Sequence, residues 1–281
     1  MEISDEKIQE LINTLKSSAD YDFSGYSAKS FKRRILKVLE TYSIDIIELI
    51  NRVKYDFVFV EQIVKDITVN TTELFRNPKS WHAIKYRILP KLMDNEIINI
   101  WHAGCSTGQE VYSMLILLNE LKILHKARIY ASDINQDVIN TAKEGKYVYR
   151  FNIEYLENFN KVIRQNPFNF EEHKNVPYSK YLIIDKIEDT ITVKNFLKNR
   201  VNYVKQNLVK REAIFKTKFD IIFCRNVLIY FKPELQSQMY SYFYDNLKNS
   251  GFLVLGYHES ILGPQAQKFN RKGLYYTKKL V

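Results

Sequence analysis

A chain of 281 residues with 46% hydrophobic content is long enough to bury a sizeable core and too apolar for a disordered segment. Two cysteines, Cys105 and Cys224, exclude a disulfide framework, and each sits in an apolar run as a small buried hydrophobe of a reduced compartment does. A formal net charge of +10 leaves a nucleic-acid partner open; the acidic, polar start and the lack of any apolar run near the roughly 20 residues of a membrane span give the expectation of a cytoplasmic protein without signal peptide or spanning helix.

The first part of the chain reads as helical. Ile8, Leu11, Ile12 and Leu15 recur at helical spacing. A second helix is predicted from Ser27 to about Thr41, with Phe31, Ile35, Val38 and Tyr42 on one face. Lys29, Arg33, Arg34 and Lys37 cover much of the other. Further helices are predicted at Ile46–Val53, at Val58–Val69 and from Trp81 to Leu92. The pattern changes at Ile97, where a short apolar run leads into glycine, as a buried parallel strand does. A helix from about Glu110 to Leu121, a strand Ala127–Asp133 and a helix from Gln136 to about Glu144 follow. Later strands are predicted at Val201–Lys205, Phe219–Cys224 and Phe252–Gly256, the last two separated by a helix near Pro233–Leu247. Alternation of this kind implies a parallel, doubly wound α/β sheet. Residues from about 151 to 199 interrupt it with short strand-like pieces, Tyr181–Ile184 and Thr190–Val193, and read as a small β-rich insertion.

Three motifs carry chemistry. Gly104-Cys105-Ser106-Thr107-Gly108-Gln109-Glu110 follows a strand and opens a helix, where glycine allows a tight turn and close approach to a ligand. It is not G-x-G-x-x-G, and it lacks the Lys and Ser/Thr of a phosphate-cradling loop. The next strand ends in Asp133, the place of an acid that accepts hydrogen bonds from ribose hydroxyls; a plain helix cap is the competing role. Cys224-Arg225-Asn226 follows a third strand, and buried Arg and Asn side chains need partners. Loop and acid together favour a nucleoside ligand without a pyrophosphate. S-adenosylmethionine fits that description, and no metal is expected.

Four segments in order, Asn70-Thr71-Thr72-Glu73-Leu74-Phe75-Arg76, Gly104 to Glu110, Cys224-Arg225-Asn226-Val227-Leu228-Ile229-Tyr230-Phe231 and Gly256-Tyr257-His258-Glu259-Ser260, resemble the chemoreceptor glutamate methyltransferases, the CheR family. The resemblance spans about Tyr21 to Gly273. It implies a helical N-terminal domain over about 1–92 and a Rossmann-like, S-adenosylmethionine-dependent methyltransferase domain over 93–281, interrupted by a small β-subdomain. It implies methyl transfer to glutamate side chains of chemoreceptor cytoplasmic helices, with S-adenosylhomocysteine as product. By the family's pattern, Asn70, Thr72 and Arg76 contact the cofactor from the N-terminal side, and Glu110 and Asp133 hold its amino-acid and ribose parts. Asn207 and Leu208 flank the adenine. Gly104, Arg225, Asn226 and Val227 complete the pocket, and Arg76 and Tyr230 lie nearest the reacting methyl as the catalytic pair. Gln109, Val111 and the pair Tyr257-His258 depart from the usual residues at their positions.

A glutamate carboxylate is already a nucleophile at pH 7, so the implied reaction needs no general base. Lys29, Arg33, Arg34 and Lys37 form a candidate docking stripe for glutamate-rich helices. The alternatives are a methyltransferase of another protein or of RNA, and a non-catalytic cofactor-binding module. Arg225-Asn226-Val227-Leu228 does not match the Asn/Asp-Pro-Pro-aromatic loop of nucleobase-amine enzymes. Arg76, Asp133, Asn226 and Tyr230 together speak for an active enzyme. DNA, RNA and membrane insertion are not expected, and a monomer is.

Overall fold

The computed structural model describes residues 3–68 and 70–279. Four helices come first: α1 (Asp5–Ala19), α2 (Ala28–Tyr42), α3 (Ile46–Tyr55) and α4 (Phe57–Ile67). Ser4, Asp45 and Asp56 cap α1, α3 and α4 by accepting from the backbone N–H three residues on. The apolar stripes named above turn inward. Leu11, Leu15, Ile35, Leu49, Val60 and Ile63 are all buried in one core. Val69, the predicted end of the fourth helix, lies outside the described residues. A helical segment then begins with α5 (Pro78–Ala83) and continues through π and 3-10 turns to Leu92.

The second unit is a seven-stranded sheet. Its elements are β1 (Ile98–Ala103), α6 (Gln109–Glu120), β2 (Ala127–Asp133) and α7 (Gln136–Glu144), then β6 (Val201–Lys205), β7 (Phe219–Cys224), α11 (Pro233–Asn246), β8 (Leu247–Leu255), β9 (Phe269–Arg271) and β10 (Tyr276–Lys278). Strand order is β6-β2-β1-β7-β8-β10-β9. The first five strands are mutually parallel, and β10 and β9 close the sheet antiparallel. Every residue of β1 and β7 is buried, so these central strands are mostly apolar, interrupted only by Asn99, His102 and Asp220. From β1 the chain moves outward to β2 on one side and later to β7 on the other. That makes the carboxyl ends of β1, β2 and β7 the switch point where open α/β sheets bind ligands.

The insertion starts earlier than residue 151. Its first strand, β3 (Lys146–Val148), pairs antiparallel with β5 (Thr190–Val193), which also pairs with β4 (Leu182–Asp185). A three-residue strand beside a helix end has too little periodicity to be read from sequence. Between β3 and β4 the insertion is more helical than expected, with α8 (Tyr149–Asn152), α9 (Tyr155–Phe159) and a π turn at Asn160–Arg164; α10 (Asn195–Lys198) follows β5.

The helical unit is fastened to the sheet near the switch point. Ser27 N–H donates to the Tyr230 carbonyl at 2.8 Å, and Lys232 N–H to that of Gly25 at 2.8 Å. Tyr26 packs edge-on against Phe231, and Lys205 meets Glu61 at 3.0 Å.

Candidate active site

A cavity of about 260 Å³ opens over the carboxyl ends of β1, β2, β6 and β7, closed on its far side by α2 and the segment after α4. The loop after β1 forms its floor. Gly104 has φ 77°, and a Cβ there would lie 2.6 Å from Val227 Cγ2, so only glycine lets the two loops approach this closely. Gly104 and Cys105 N–H both donate to the Ser132 carbonyl, at 2.8 and 2.9 Å. Ser106 Oγ donates to the Asn70 carbonyl at 2.9 Å, tying the floor to the helical side.

Asp133 stands at the end of β2 directly against that loop. Its Oδ2 accepts from Ser106 N–H at 2.8 Å and its Oδ1 from Asn135 N–H at 3.2 Å. It does not cap α7, since Asn135 does so by accepting from the N–H groups of Asp137 and Val138. Burial raises the Asp133 carboxyl above its ordinary value, and the N–H groups of Ser106, Asn135 and Ile134 offset this only in part. A buried carboxylate in that condition gains from further hydroxyl donors.

Glu110, in the first turn of α6, is held from two sides. His102 Nδ1 lies 2.9 Å from Oε1, and Arg225 Nη1 donates to Oε2 at 3.0 Å. Burial raises its carboxyl, but the His102 hydrogen bond and the Arg225 charge outweigh that and leave it below its usual value. The cavity therefore presents two carboxylates. One is ionised and suited to an ammonium; the other is short of donors and suited to a diol.

Arg76 is carried on a strained turn. Phe75 and Asn77 both have left-handed backbones, φ 53° and 58°, a conformation that costs a bulky residue roughly 1–3 kcal/mol and persists only where packing enforces it. The enforcement is visible. Phe75 is fully buried, its N–H donates to Ser113 Oγ at 2.7 Å, and its ring meets Trp81 edge-on. Arg76 Nη1 donates to the Thr71 carbonyl at 3.3 Å, and its Nε lies 3.7 Å from Glu73.

The loop after β7 has its own anchor. Asn226 is also left-handed, φ 60°. Glu259 accepts from the N–H groups of Asn226 at 2.8 Å, Val227 at 3.1 Å, Ile229 at 3.2 Å and Gly256 at 2.6 Å. Gly256 is required there, because a Cβ would meet Glu259 Oε2 at 2.5 Å and Asn226 N at 2.8 Å.

Asn70, Thr72, Arg76, Gly104, Glu110, Asp133, Asn207, Leu208, Arg225, Asn226, Val227 and Tyr230 all line this one cavity. Asn70 and Arg225 are also engaged inside the protein. The Asn70 amide donates to the Lys65 carbonyl at 2.8 Å, closing the end of α4. The Arg225 side chain is only 2% exposed and also donates to the Arg76 carbonyl at 2.9 Å. Lys29, Arg33 and Lys37 are exposed on α2. Arg34 is not part of that stripe. It lines the cavity together with Ser30, one turn away, because a helix advances about 100° per residue and carries Arg34 round from Arg33. Tyr26, Ser106 and Gln206, which the sequence did not single out, line the cavity as well.

Comparison with known proteins shows the family of the chain. Residues 70–276 match the family model described as "CheR methyltransferase, SAM binding domain". Cher3 of Pseudomonas putida, which carries a methyltransferase name, is 34% identical over 92% of this chain and 90% of that protein. The chemotaxis protein methyltransferase of Borreliella burgdorferi is 33% identical over 72% of this chain and 68% of its own. That of Listeria innocua is 28% identical over 89% and 88%. The residues present fit S-adenosylmethionine. Glu110 and Asp133 supply the acceptors that an ammonium and a ribose diol need, and the N–H groups of Gly104, Cys105, Ser106 and Gly108 are engaged internally rather than free to cradle phosphate.

Proposed function

Because this chain belongs to the CheR methyltransferase family, an S-adenosylmethionine-dependent enzyme group, we propose that it methylates glutamate side-chain carboxylates of chemoreceptor helices, producing methyl esters in the cytoplasm. The observation that carries the reading is one cavity with Glu110 and Asp133 on its floor and Arg76 and Tyr230 on its wall. S-adenosylmethionine supplies, when bound, a methyl group activated by a sulfonium. Glu110 takes the ammonium of the amino-acid part and Asp133 the ribose hydroxyls, with Asn207 and Leu208 beside the base. Arg76 orients the incoming carboxylate through its planar fork, and Tyr230 shapes the site where the two reactants meet.

The substrate carboxylate has a reference pKa of about 4.3 and is ionised without help. The protein's contribution is then alignment, worth roughly 7–11 kcal/mol when geometry is good, together with exclusion of water. As carboxylate meets sulfonium, charge is neutralised, so a drier pocket favours the transition state over the separated ions. Tyr26, Phe31 and Phe231 line the cavity and provide that dryness.

Lys29, Arg33 and Lys37 give the acidic receptor helix a docking face on α2, and Arg34 extends positive charge into the cavity. Incubation with methyl-labelled cofactor and receptor-bearing membranes tests the proposal. Label released as methanol by mild base is the expected result; label stable to base, or found in RNA, overturns it. In the same assay Arg33→Glu with Lys37→Glu should raise the receptor KM about tenfold and leave S-adenosylhomocysteine affinity unchanged. An unchanged receptor KM removes the docking role.

A further inference from the structure

We propose that His102 is a positioning residue for the cofactor's amino-acid part, acting through Glu110. The inference rests on the reading that Glu110 receives the cofactor ammonium. Glu110's two bonded partners are joined behind the carboxylate by stacked rings. His102 lies on Phe223 with centroids 4.5 Å and planes 9° apart. Phe223 lies on Trp81 at 5.9 Å and 22°, and the Arg225 guanidinium sits 5.9 Å from the Trp81 ring centre. Four side chains thus close a ring on Glu110, whose own side chain keeps 14% exposure toward the cavity.

The ring sets what Glu110 can still do. Its ionised carboxylate only accepts, so the proton in the bond to His102 is on Nδ1. His102 is fully buried, and among the described residues its Nε2 has no hydrogen-bond partner. Nδ1 is therefore the ring nitrogen through which His102 acts, and it serves Glu110, whose carboxylate is left to face a cationic ligand. Each carboxylate oxygen retains a second lone-pair direction, and the ring leaves those directions to the cavity. Without His102, Oε1 loses its donor and the carboxylate is free to swing toward Arg225. The acceptor for the ammonium is then misaimed, while Asp133 and the Asn207 segment remain as they were.

Calorimetry with two ligands tests this. S-adenosylhomocysteine carries the amino-acid part; 5′-methylthioadenosine shares its base, ribose and thioether and lacks that part. His102→Leu should weaken the first ligand about tenfold or more and the second less than about twofold. His102→Asn, whose amide donates from nearly the position of Nδ1, should restore most of the loss. His102→Ala serves if the leucine variant does not fold. Equal weakening of both ligands, or of neither, overturns the inference. Glu110→Gln separates the two levels. Selective loss of S-adenosylhomocysteine in Glu110→Gln but not in the His102 variants overturns the role of His102 alone, and selective loss in neither overturns the placement of the ammonium as well.

Discussion

Asp133→Asn is expected to weaken S-adenosylhomocysteine binding about 30- to 150-fold, read by titration calorimetry. The carboxylate already accepts from Ser106 and Asn135 N–H and, buried as it is, lacks enough donors to satisfy its charge. Two ribose hydroxyls supply them. Exchanging a charged acceptor for an amide there removes about 2–3 kcal/mol, and each 1.4 kcal/mol is tenfold. The competing explanation is that the glycine loop loosens, because one amide oxygen cannot take both backbone donors. That loss is a single backbone hydrogen bond, about 1 kcal/mol, and would lower Tm by about 2–4 °C. A hundredfold loss of affinity with so small a change in Tm therefore belongs to the ligand. Near-normal affinity in Asp133→Asn would remove the ribose role.

The second large effect belongs to Arg76. Arg76→Ala is expected to lower kcat/KM for the protein substrate about 100- to 1,000-fold while changing S-adenosylhomocysteine affinity less than about tenfold. A bidentate, charge-assisted contact is worth about 3–4 kcal/mol, which gives that range. The alternative is that Arg76 serves only its pair with Glu73. That pair is 3.7 Å long with side chains 31% and 26% exposed, and such pairs contribute about 0–1 kcal/mol. Losing it accounts for a few-fold effect at most. Arg76→Lys keeps the charge but not the fork and should fall between the two. Normal turnover in Arg76→Ala would show that the carboxylate is oriented by another group.

Much of the site was legible because parallel strands buried on both faces announce themselves. The apolar runs before Gly104, before Asp133 and before Arg225 gave three strand ends, and the fold brings such ends together at its switch point. The sheet's last two strands, β9 and β10, are three residues each and carry no period that could be read. Arg34 was misplaced on the exposed stripe for a different reason. Two adjacent arginines look alike in composition, and only the phase of α2 against the cavity separates them. The left-handed backbones at Phe75 and Ser106 had no signal either and are imposed by their surroundings, while Asn77 and Asn226 carry only the mild preference of Asn for that conformation. His102 and Glu259 show the same limit. A buried polar side chain declares its role only through its partners, and those lie on other strands and loops. For Glu259 the available hint was its place in the Gly256–Ser260 segment that resembles the family, which names no partner for it.

A crystal structure with S-adenosylhomocysteine tests the central claim most directly. The expected result has the ribose hydroxyls on Asp133, the ammonium on Glu110 and the sulfur turned toward Arg76 and Tyr230. A nucleoside seated elsewhere, such as the groove between His82 and Tyr257, with Asp133 and Glu110 untouched, would contradict it.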